Sequence, residues 1–333
     1  MERADYWETV ANQGHTLRQS IAAVRAGLPP EGMSLPADLP VGIAAMGAST
    51  YAAEVLVYEA QQRGRVVLNR AASEWHEVPW PPLSLLVGIS ESGRSPETIQ
   101  ALQQAPGPTL VLTNVPDAPV STVASRTVSL GGIRDAGVYL SGYTSTVAGL
   151  ALVGEALGLT QMASGLDQAP DAVEAVLVQA EAVVAEFLSL TPGGSGPTAL
   201  DCVGGGGSWA AACETALILR EAGRTPSAAF PTDQYLHGPA EGLTPTGGLV
   251  VFGSNRTDEL VRWALGRGIP TLHVSPEPAA DAVGLRLPRA SATVTGIMEA
   301  VVGQVLAGRI GTQHGHELGT FQHEFAGTKL PVG

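Results

Sequence analysis

A short run of small hydroxyl-bearing residues follows one of the most apolar stretches of the sequence. The run Ile89–Thr98 reads ISESGRSPET and comes directly after LSLLVG, which has the composition of a strand buried on both faces. Serine hydroxyls, backbone N–H groups and a helix that opens at Pro96 offer a phosphate several hydrogen-bond donors without any lysine. Serine-rich turns also serve as ordinary helix caps. The run therefore predicts a phosphate site, with helix capping as the alternative.

A second turn of this kind, MGAST at Met46–Thr50, follows the apolar run VGIAA. In a doubly wound sheet, ligands bind beyond the carboxyl ends of the strands, where loops meet helix N-termini. Both turns precede helical stretches, so both are candidates to contact one small anion. The candidate substrate-binding residues of the two turns are Gly47, Ser49, Ser90, Glu91, Ser92, Gly93 and Ser95.

The basic residues show an unusual bias, because Lys329 is the one lysine among 18 lysines and arginines. A genome that favours arginine codons would explain this bias. The functional explanation is that an amine can lose its proton and act as a nucleophile or base, which a guanidinium cannot do. Lys329 is therefore a candidate catalytic residue, and codon preference remains the alternative.

Strand-like and helix-like segments alternate after a first helical stretch over residues 3–28. Apolar strands without polar alternation, separated by helices, predict a parallel sheet covered on both faces, which is an α/β fold. A helix-rich segment with the Gly- and Pro-rich run TPGGSGPT lies at 159–198, and the pattern then starts again. The predicted strands are VGIAAMG, RVVL, SLLVGIS, TLVLTN and RTVSL before this segment, and LDCVGGGG, GGLVVFGS and TLHVS after it.

The two halves also share sequence, which indicates an internal duplication. GASTYAA is followed by Gly64-Arg65 fifteen residues beyond its serine, and GGSWAAA is followed by Gly223-Arg224 at the same distance. In the same comparison LLVGISESG matches LVVFGSNRT, so the second half keeps the strand but loses the serine-glycine turn. At the ends of the matched helices, Gln62 corresponds to Glu221. The halves are expected to have different roles.

Composition limits the classes of partner. The 333 residues carry a formal net charge of −13, which argues against nucleic acid or an acidic membrane surface. The two cysteines form no C-x-x-C motif, and no run of about 18 apolar residues predicts a membrane span. The N-terminus MERADYWETV lacks the order of a signal peptide. A cytoplasmic protein that binds a small ligand is expected.

Together, ISESGRSPET and CETALILREAGRTPSAAFPTDQYLHGP resemble the sugar isomerase (SIS) domain family, in particular the isomerase half of glucosamine-6-phosphate synthase and its stand-alone relatives. The resemblance covers nearly the whole chain. It implies two tandem SIS domains, each a parallel five-stranded, doubly wound sheet with helices on both faces. The implied parts are an N-terminal helix (1–30), SIS domain 1 (31–160), a linker helix (161–198), SIS domain 2 (199–310) and a C-terminal tail (311–333).

The resemblance implies an aldose–ketose isomerase, or an aminosugar-phosphate deaminase, that acts on a hexose or hexosamine 6-phosphate through a cis-enediol. Glu221 matches the family's catalytic base, and a carboxylate near a helix end suits the removal of a proton beside a carbonyl. His237, sixteen residues later, matches the histidine that opens the sugar ring and comes from a neighbouring subunit. Lys329 corresponds to the family's C-terminal lysine. A homodimer that needs no cofactor is expected.

Several residues depart from the family pattern. Glu91 stands where the family commonly has glutamine, and a carboxylate beside a phosphate dianion is unfavourable unless it is protonated or turned away. Ile218 replaces a lysine that assists the catalytic glutamate, and Arg94 replaces an acidic residue. The glutamine-hydrolysing domain is not found, so amination would need free ammonia. A phosphosugar-binding sensor without turnover is therefore the alternative function.

The tail allows a metal site as a further alternative, because an H-x-H pair with a nearby acid or histidine can supply three ligands. These residues are more simply explained as a cover over the sugar site, so the prediction is no bound metal. The residues concerned are His314, His316, Glu317, His323 and Glu324.

Overall fold

The computed structural model of the chain describes residues 4–191, 194, 196–254, 256–323 and 325–331. The elements of the amino-terminal half are α1 (Tyr6–Ala11), α2 (Gln13–Gly27), β1 (Val41–Ala45), α3 (Ala48–Gln61), β2 (Val67–Ala71), β3 (Leu85–Ile89), α4 (Pro96–Gln104), β4 (Thr109–Thr113), β5 (Arg126–Ser129) and α5 (Ser141–Ala156). Those of the carboxyl-terminal half are α6 (Ala169–Ser189), β6 (Leu200–Gly204), α7 (Trp209–Glu221), β7 (Ser227–Pro231), α8 (Thr232–Tyr235), β8 (Gly248–Phe252), α9 (Thr257–Leu265), β9 (Thr271–Ser275), β10 (Val283–Arg286) and α10 (Ala292–Gln313).

The strands form two five-stranded sheets, and the described strand pairs are all parallel. The first sheet has the order β2-β1-β3-β4-β5, and the second has the order β7-β6-β8-β9-β10. Counted within each sheet, both orders are 2-1-3-4-5, which is a doubly wound topology. The predicted fold class, α/β with two parallel five-stranded sheets, is confirmed.

The strand register refines the sequence match between the halves. Gly42, the second residue of β1, pairs with Leu86, and Asp201, the second residue of β6, pairs with Leu249. Leu249 therefore corresponds to Leu86 and not to Leu85, so the sequence match was wrong by one residue in this strand. As a result, Ser90 and Gly253 occupy equivalent positions, each directly after the third strand of its sheet.

The inner strands of both sheets are buried and the edge strands are half-exposed. β1, β3, β4, β8 and β9 are buried at every residue, as expected for apolar strands with helices on both faces. Trp75, also fully buried, donates from Nε1 to the carbonyl oxygen of Ile43 in β1 at 2.8 Å. This packing fixes β1 at its middle residue, three residues before the turn at Met46–Thr50 begins.

The structure differs from the sequence prediction at several elements. The first predicted helix is two helices that meet at Asn12, whose side-chain amide donates to the carbonyl oxygen of Glu8 at 2.9 Å. Strands β7 and β10 and helix α9 were not predicted. The two strands are short edge strands with half-exposed residues, so they lack a continuous apolar run. Helix α10 continues to Gln313, into the segment that was expected to be the tail (311–333).

The chain divides into two compact bodies. The first-sheet body comprises His15–Arg134, Ser141–Asp167 and Gln322–Gly333, and the second-sheet body comprises Met1–Gly14, Asp135–Leu140 and Gln168–Phe321. Thus the tail is divided at Phe321: its first part belongs to the second-sheet body and its last part to the first-sheet body, whereas the N-terminal segment up to Gly14 belongs to the second-sheet body. Across the described part of the chain, no helix has both the length and the apolar character that a membrane span requires.

Candidate functional site

The first sheet has a topological switch point between β1 and β3. The order β2-β1-β3 means that the connections after these two strands leave in opposite directions, which opens a crevice beyond their carboxyl ends. The loop after β1 leads into α3, and the loop after β3 leads into α4. Both predicted turns therefore flank this crevice, and each ends at a helix N-terminus that favours a negative charge.

The turn Ser90–Ser95 is tightly fixed by its backbone. The N–H of Gly93 donates to the carbonyl oxygen of Ser90 at 3.0 Å, and the N–H of Val120 donates to the carbonyl oxygen of Gly93 at 3.0 Å. Gly93 has a φ of 66°, and a Cβ at this position would collide with the side chain of Ala118. A glycine is therefore required here by both conformation and space. Ser90 is buried, whereas Ser92 and Ser95 are half-buried.

Ser95 occupies the N-cap position of α4 but does not cap it. An N-cap serine ordinarily accepts a hydrogen bond from an N–H of the first turn, and the Ser95 hydroxyl makes no such bond. Its Oγ lies 3.3 Å from Oγ of Ser90, a long contact for two hydroxyls. Two hydroxyls and an uncapped helix N-terminus thus face one another across the turn.

The carboxylate of Glu91 is held by Asn114. The Asn114 Nδ2 donates to Glu91 Oε1 at 3.2 Å and to the carbonyl oxygen of Ile133 at 2.7 Å, while Asn114 Oδ1 accepts from the Ile133 N–H at 2.8 Å. Asn114 is itself buried at the end of β4. Sequence reasoning did not single it out, although its position directly after an inner strand was a usable signal. Glu91 therefore has a fixed partner.

The turn after β1 provides a second helix N-terminus. Gly47 is the N-cap residue of α3, with a φ of 57°, and no side chain caps this helix. Ser49 lies in its first turn and is buried. The first turn of α3 contains no acidic residue, so nothing on the helix itself opposes an anion there.

The C-terminal tail is hydrogen-bonded to the Ser90–Ser95 turn at Arg94. The N–H of Leu330 donates to the carbonyl oxygen of Arg94 at 2.9 Å, and Nη1 of Arg94 donates to the carbonyl oxygen of Leu330 at 3.2 Å. These reciprocal bonds place the neighbouring Lys329, whose side chain is exposed, beside the turn. Arg94, singled out above only as a departure from the family, thus connects two candidate elements.

Glu221 is the last residue of α7 in the second-sheet body, and it is half-buried. Glu214 lies on the same face of the helix, two turns earlier, about 10 Å along the axis. Burial raises the pKa of Glu214 well above its ordinary value, and the charges of Glu221 and Asp135 raise it further. Burial raises the pKa of Tyr6, and the charges of Glu214, Glu221 and Asp135 raise it further. Glu221 therefore lies within an acidic cluster.

Glu214 was not predicted from the sequence, although an acid seven residues before Glu221 in an apolar helix was a usable signal. Its side chain is 1% exposed, and its Oε2 has no hydrogen-bond partner among the described residues. The residue one turn later is Ile218, which is fully buried and apolar. Because no lysine stands at that position, Glu214 has no cationic partner on its own helix face.

His237 is exposed in the turn that follows α8. Its backbone N–H donates to the carbonyl oxygen of Gln234 at 3.0 Å. An exposed imidazole at this position is accessible to groups outside the chain. Both Glu221 and His237 belong to the second-sheet body, while the serine turns and Lys329 belong to the first-sheet body.

The histidine-rich tail does not form a metal centre in the described part of the chain. Outside the omitted positions, no three His, Cys, Asp or Glu side chains come together in an arrangement that could hold a metal ion. The rings of His314 and His316 contact each other edge to face, with centroids 5.6 Å apart. Glu324, one of the ligands considered above, lies outside the described residues.

Several solved structures share this fold. The C-terminal domain of glucosamine-fructose-6-phosphate aminotransferase from Francisella tularensis matches with a TM-score of 0.81 and 15% identity, over 95% of this chain and 98% of that one. A protein assigned as a phosphosugar isomerase in Clostridium difficile 630 matches with a TM-score of 0.81 and 16% identity, over 96% of each chain. Glucosamine-6-phosphate deaminase from Thermotoga maritima matches with a TM-score of 0.74 and 13% identity, over 96% and 98%.

No protein-family model matches the sequence, and no curated protein matches it. The likeness to the solved structures is a likeness of fold. The chain has the α/β architecture of these proteins, built on two parallel five-stranded sheets.

Proposed function

We propose that this chain is a phosphosugar enzyme, either an aldose–ketose isomerase or an aminosugar-phosphate deaminase, that acts on a hexose or hexosamine 6-phosphate. The observation that carries the proposal is Ser95, an N-cap serine that leaves its helix uncapped and faces a second serine hydroxyl at the switch point of the first sheet. The shared fold supports the substrate class, since its matches are named for aminosugar or phosphosugar chemistry.

The phosphate is assigned to the first-sheet body. The hydroxyls of Ser90, Ser92 and Ser95 and the N-terminus of α4 supply donors on one side, and Gly47 and Ser49 at the N-terminus of α3 supply them on the other. Two helix N-termini add partial positive charge, which stabilises a dianion in the absence of a lysine. The bond from Asn114 gives the Glu91 carboxylate a partner other than the phosphate.

The proton transfers are assigned to three residues. Glu221 takes the proton from the carbon beside the carbonyl while the carbonyl oxygen gains a proton from water, which gives a cis-enediol. Glu221 then returns its proton to the former carbonyl carbon as the neighbouring hydroxyl releases its proton to water. His237 moves a proton between the ring oxygen and O1 as the ring opens, and its exposure suits a group that serves a neighbouring copy of the chain. Lys329 stabilises the open-chain sugar, or its amine condenses with a ketose carbonyl to an imine and releases water.

The non-catalytic sensor is kept as a second candidate because of one observation. Ile218 is buried one turn from Glu214, at a position where a cation would neutralise the acidic cluster around Glu221. Without a cation at that position, the negative charge of Glu221 adds to burial in raising the pKa of Glu214. A protein with this arrangement can bind a phosphosugar without turning it over.

Isotope exchange separates the two functions. The protein is incubated in heavy water with glucosamine 6-phosphate, fructose 6-phosphate or fructosamine 6-phosphate, and deuterium at C1 and C2 is followed by NMR. The isomerase or deaminase is expected to introduce deuterium, and Glu221→Gln is expected to abolish exchange while phosphosugar binding persists. Glu186→Gln, an exposed acid on α6, is the matched control and retains exchange. Binding without exchange in the unmodified protein would establish the sensor instead.

A further inference from the structure

The second sheet has a switch point of its own, between β6 and β8, and its backbone repeats that of the first. The N–H of Ser90 donates to Leu112 at 3.1 Å, and the N–H of the equivalent Gly253 donates to Val274 at 3.0 Å. Both acceptors are the fourth residue of the next strand. The matched sequences GAST and GGSW place Ser208 where the first half has Ser49. The second sheet therefore contains the counterpart of the proposed phosphate crevice.

A carboxyl group of the chain itself occupies this second crevice. Glu299 of α10 is fully buried, and its Oε1 lies 2.9 Å from Oγ of Ser208, which donates to it. The backbone of Gly253 is near enough to the same carboxyl to lower its pKa. Gly253 has a φ of 82°, and a Cβ there would lie 2.8 Å from Oγ of Ser208. The three residues thus close around one small volume.

Glu299 therefore lies where the first sheet would place a phosphate: it is bonded to a serine hydroxyl beside a helix N-terminus and lies near the residue that directly follows the third strand. The second oxygen, Oε2, has no hydrogen-bond partner in the part of the chain that the structure describes. The corresponding helix of the first half, α5, contains one acid, Glu155, and it is exposed. No carboxyl group from α5 enters the first crevice.

The two ionisable side chains described in the second crevice, His273 and Glu299, are both held in their neutral forms. His273 faces the same loop: its Nδ1 accepts from the N–H of Ala279 at 3.0 Å, so its Nε2 carries the hydrogen and donates to the carbonyl oxygen of Gly253 at 2.9 Å. Burial lowers the pKa of His273, which keeps this ring neutral, although Asp258 opposes the shift. Burial raises the pKa of Glu299 to about 8, with the bond from Ser208 and the nearby backbone of Gly253 opposing. At neutral pH the occupying group is a protonated carboxyl.

We infer that the second switch point is an oxyanion site that the chain fills with its own Glu299 side chain, so that a small tetrahedral oxyanion such as phosphate enters it only when this side chain is withdrawn. The observation behind this inference is the repeat of the crevice and the burial of Glu299 within it. The native chain would then bind phosphate at the first crevice alone.

The test compares Glu299→Ala, which empties the crevice, with Glu299→Gln, which keeps it filled by a neutral group of the same size. Each variant and the unmodified protein are titrated with inorganic phosphate by calorimetry, and crystals soaked in selenate locate the anion by its anomalous signal. The Ala variant is expected to bind one more anion per chain, at Ser208, and Ser208→Ala in the same background is expected to remove it. If the Ala variant does not fold, Glu299→Ser is used instead to empty the crevice of the carboxyl group.

The position of the anion distinguishes this inference from the proposed function. Selenate at Ser208 in the Ala or Ser variant, and not in the Gln variant, supports the inference whether or not the first crevice is occupied. Folded Ala or Ser variants that bind no anion at Ser208, at any phosphate concentration that occupies the first crevice, would overturn it. Selenate at Ser208 in the unmodified protein would also overturn it, because Glu299 would then not exclude the anion.

Discussion

Among single residues, Ser95 is the sharpest indication of a ligand because a second serine in the chain shows what ordinary capping looks like. Ser291 is the N-cap of α10 and accepts from the N–H of Val294, whereas Ser95 makes no cap bond. Ser95→Ala should therefore leave stability almost unchanged but weaken phosphate binding by about tenfold or more, since a bond to a charged group is worth about 1.5–3 kcal/mol.

Ser291→Ala is the matched control for this prediction, and it should show the opposite result. It should lose about 1 kcal/mol of stability with phosphate affinity retained. Calorimetric titration with inorganic phosphate and thermal unfolding measure the two effects. If Ser95→Ala loses stability like Ser291→Ala and keeps its affinity, Ser95 is a structural cap.

The buried acid Glu299 predicts a pH dependence of stability. Its pKa is about 8 in the folded chain and near the ordinary 4.5 when unfolded, so the folded state holds an extra proton between these values. Its contribution to stability is present below pH 4.5 and is lost as the pH rises to 8, at up to about 1.4 kcal/mol per pH unit. Glu299→Gln, which is always neutral, should unfold at a progressively higher temperature than the unmodified chain as the pH rises over this range.

Glu186→Gln provides the comparison for that pH series, because Glu186 is exposed on α6. It should follow the unmodified protein at every pH. If the difference in unfolding temperature between Glu299→Gln and the unmodified chain stays constant from pH 4.5 to 8, Glu299 is ionised in the folded state.

Sequence reasoning located residues that lie in a turn of characteristic composition and missed those whose role depends on a distant neighbour. The serines of the Ser90–Ser95 turn were found because small hydroxyls follow an apolar strand. Asn114 and Glu214 each had a local signal, but the contact of Asn114 with Glu91 and the full burial of Glu214, which make them important, are visible only in the structure. Residue roles that arise from packing therefore needed coordinates.

At the scale of elements, the inner strands were predictable and the edge strands were less so. A strand buried on both faces has to be apolar throughout, and β1, β3, β4, β8 and β9 are. The edge strands β7 and β10 have half-exposed residues, and only pairing with a neighbour makes them strands. The contact of the tail with Arg94 was equally unpredictable from the sequence, because it is made largely through backbone atoms.

The contact between the tail and the Ser90–Ser95 turn can be tested because the chain has a single lysine. A lysine-specific endoprotease can cleave only after Lys329, which releases Leu330–Gly333. Arg94→Ala removes the guanidinium bond to the Leu330 carbonyl but leaves the backbone bond. Since an intramolecular hydrogen bond is worth about 0.5–1.5 kcal/mol, cleavage should become about 2- to 10-fold faster.

Mass spectrometry over a digestion time course measures this rate. Arg126→Ala, which changes an exposed arginine on β5 of the same body, should be cleaved at the rate of the unmodified chain. Equal rates for all three proteins would mean that the Arg94 guanidinium does not hold the tail, which would leave the backbone bond from Leu330 as the link between the tail and the Ser90–Ser95 turn.

For the whole molecule, duplication explains both the regularity of the fold and the division of roles. Two sheets with the same strand order provide two equivalent crevices. A chain that binds one phosphate needs only one of them. The first keeps serines and glycine at its switch point, while the second fills its own crevice with Glu299 and carries Glu221 and His237 instead. On the two proposals made above, divergence after duplication closed the second anion site and left proton transfer to residues of the second half.

The expected homodimer gives a prediction about the complete assembly. If His237 serves the site of a neighbouring copy, a site contains Glu221 from one chain and His237 from the other. Glu221→Gln and His237→Ala should each be inactive alone. Random mixing after co-expression makes half of the dimers mixed, and each mixed dimer regains one intact site of two, so about a quarter of the unmodified activity should return.

Deuterium exchange into the phosphosugar substrate is the measurement for this mixing experiment, made on co-expressed and separately purified variants. A double variant, with both changes in one chain, should stay inactive when mixed with itself. In a mixed dimer of the two single variants, a chain that used its own His237 and its own Glu221 would always lack one of them. Failure of the mixture to regain exchange, with mixed dimers demonstrated by two affinity tags, would therefore place His237 and Glu221 of one site in the same chain.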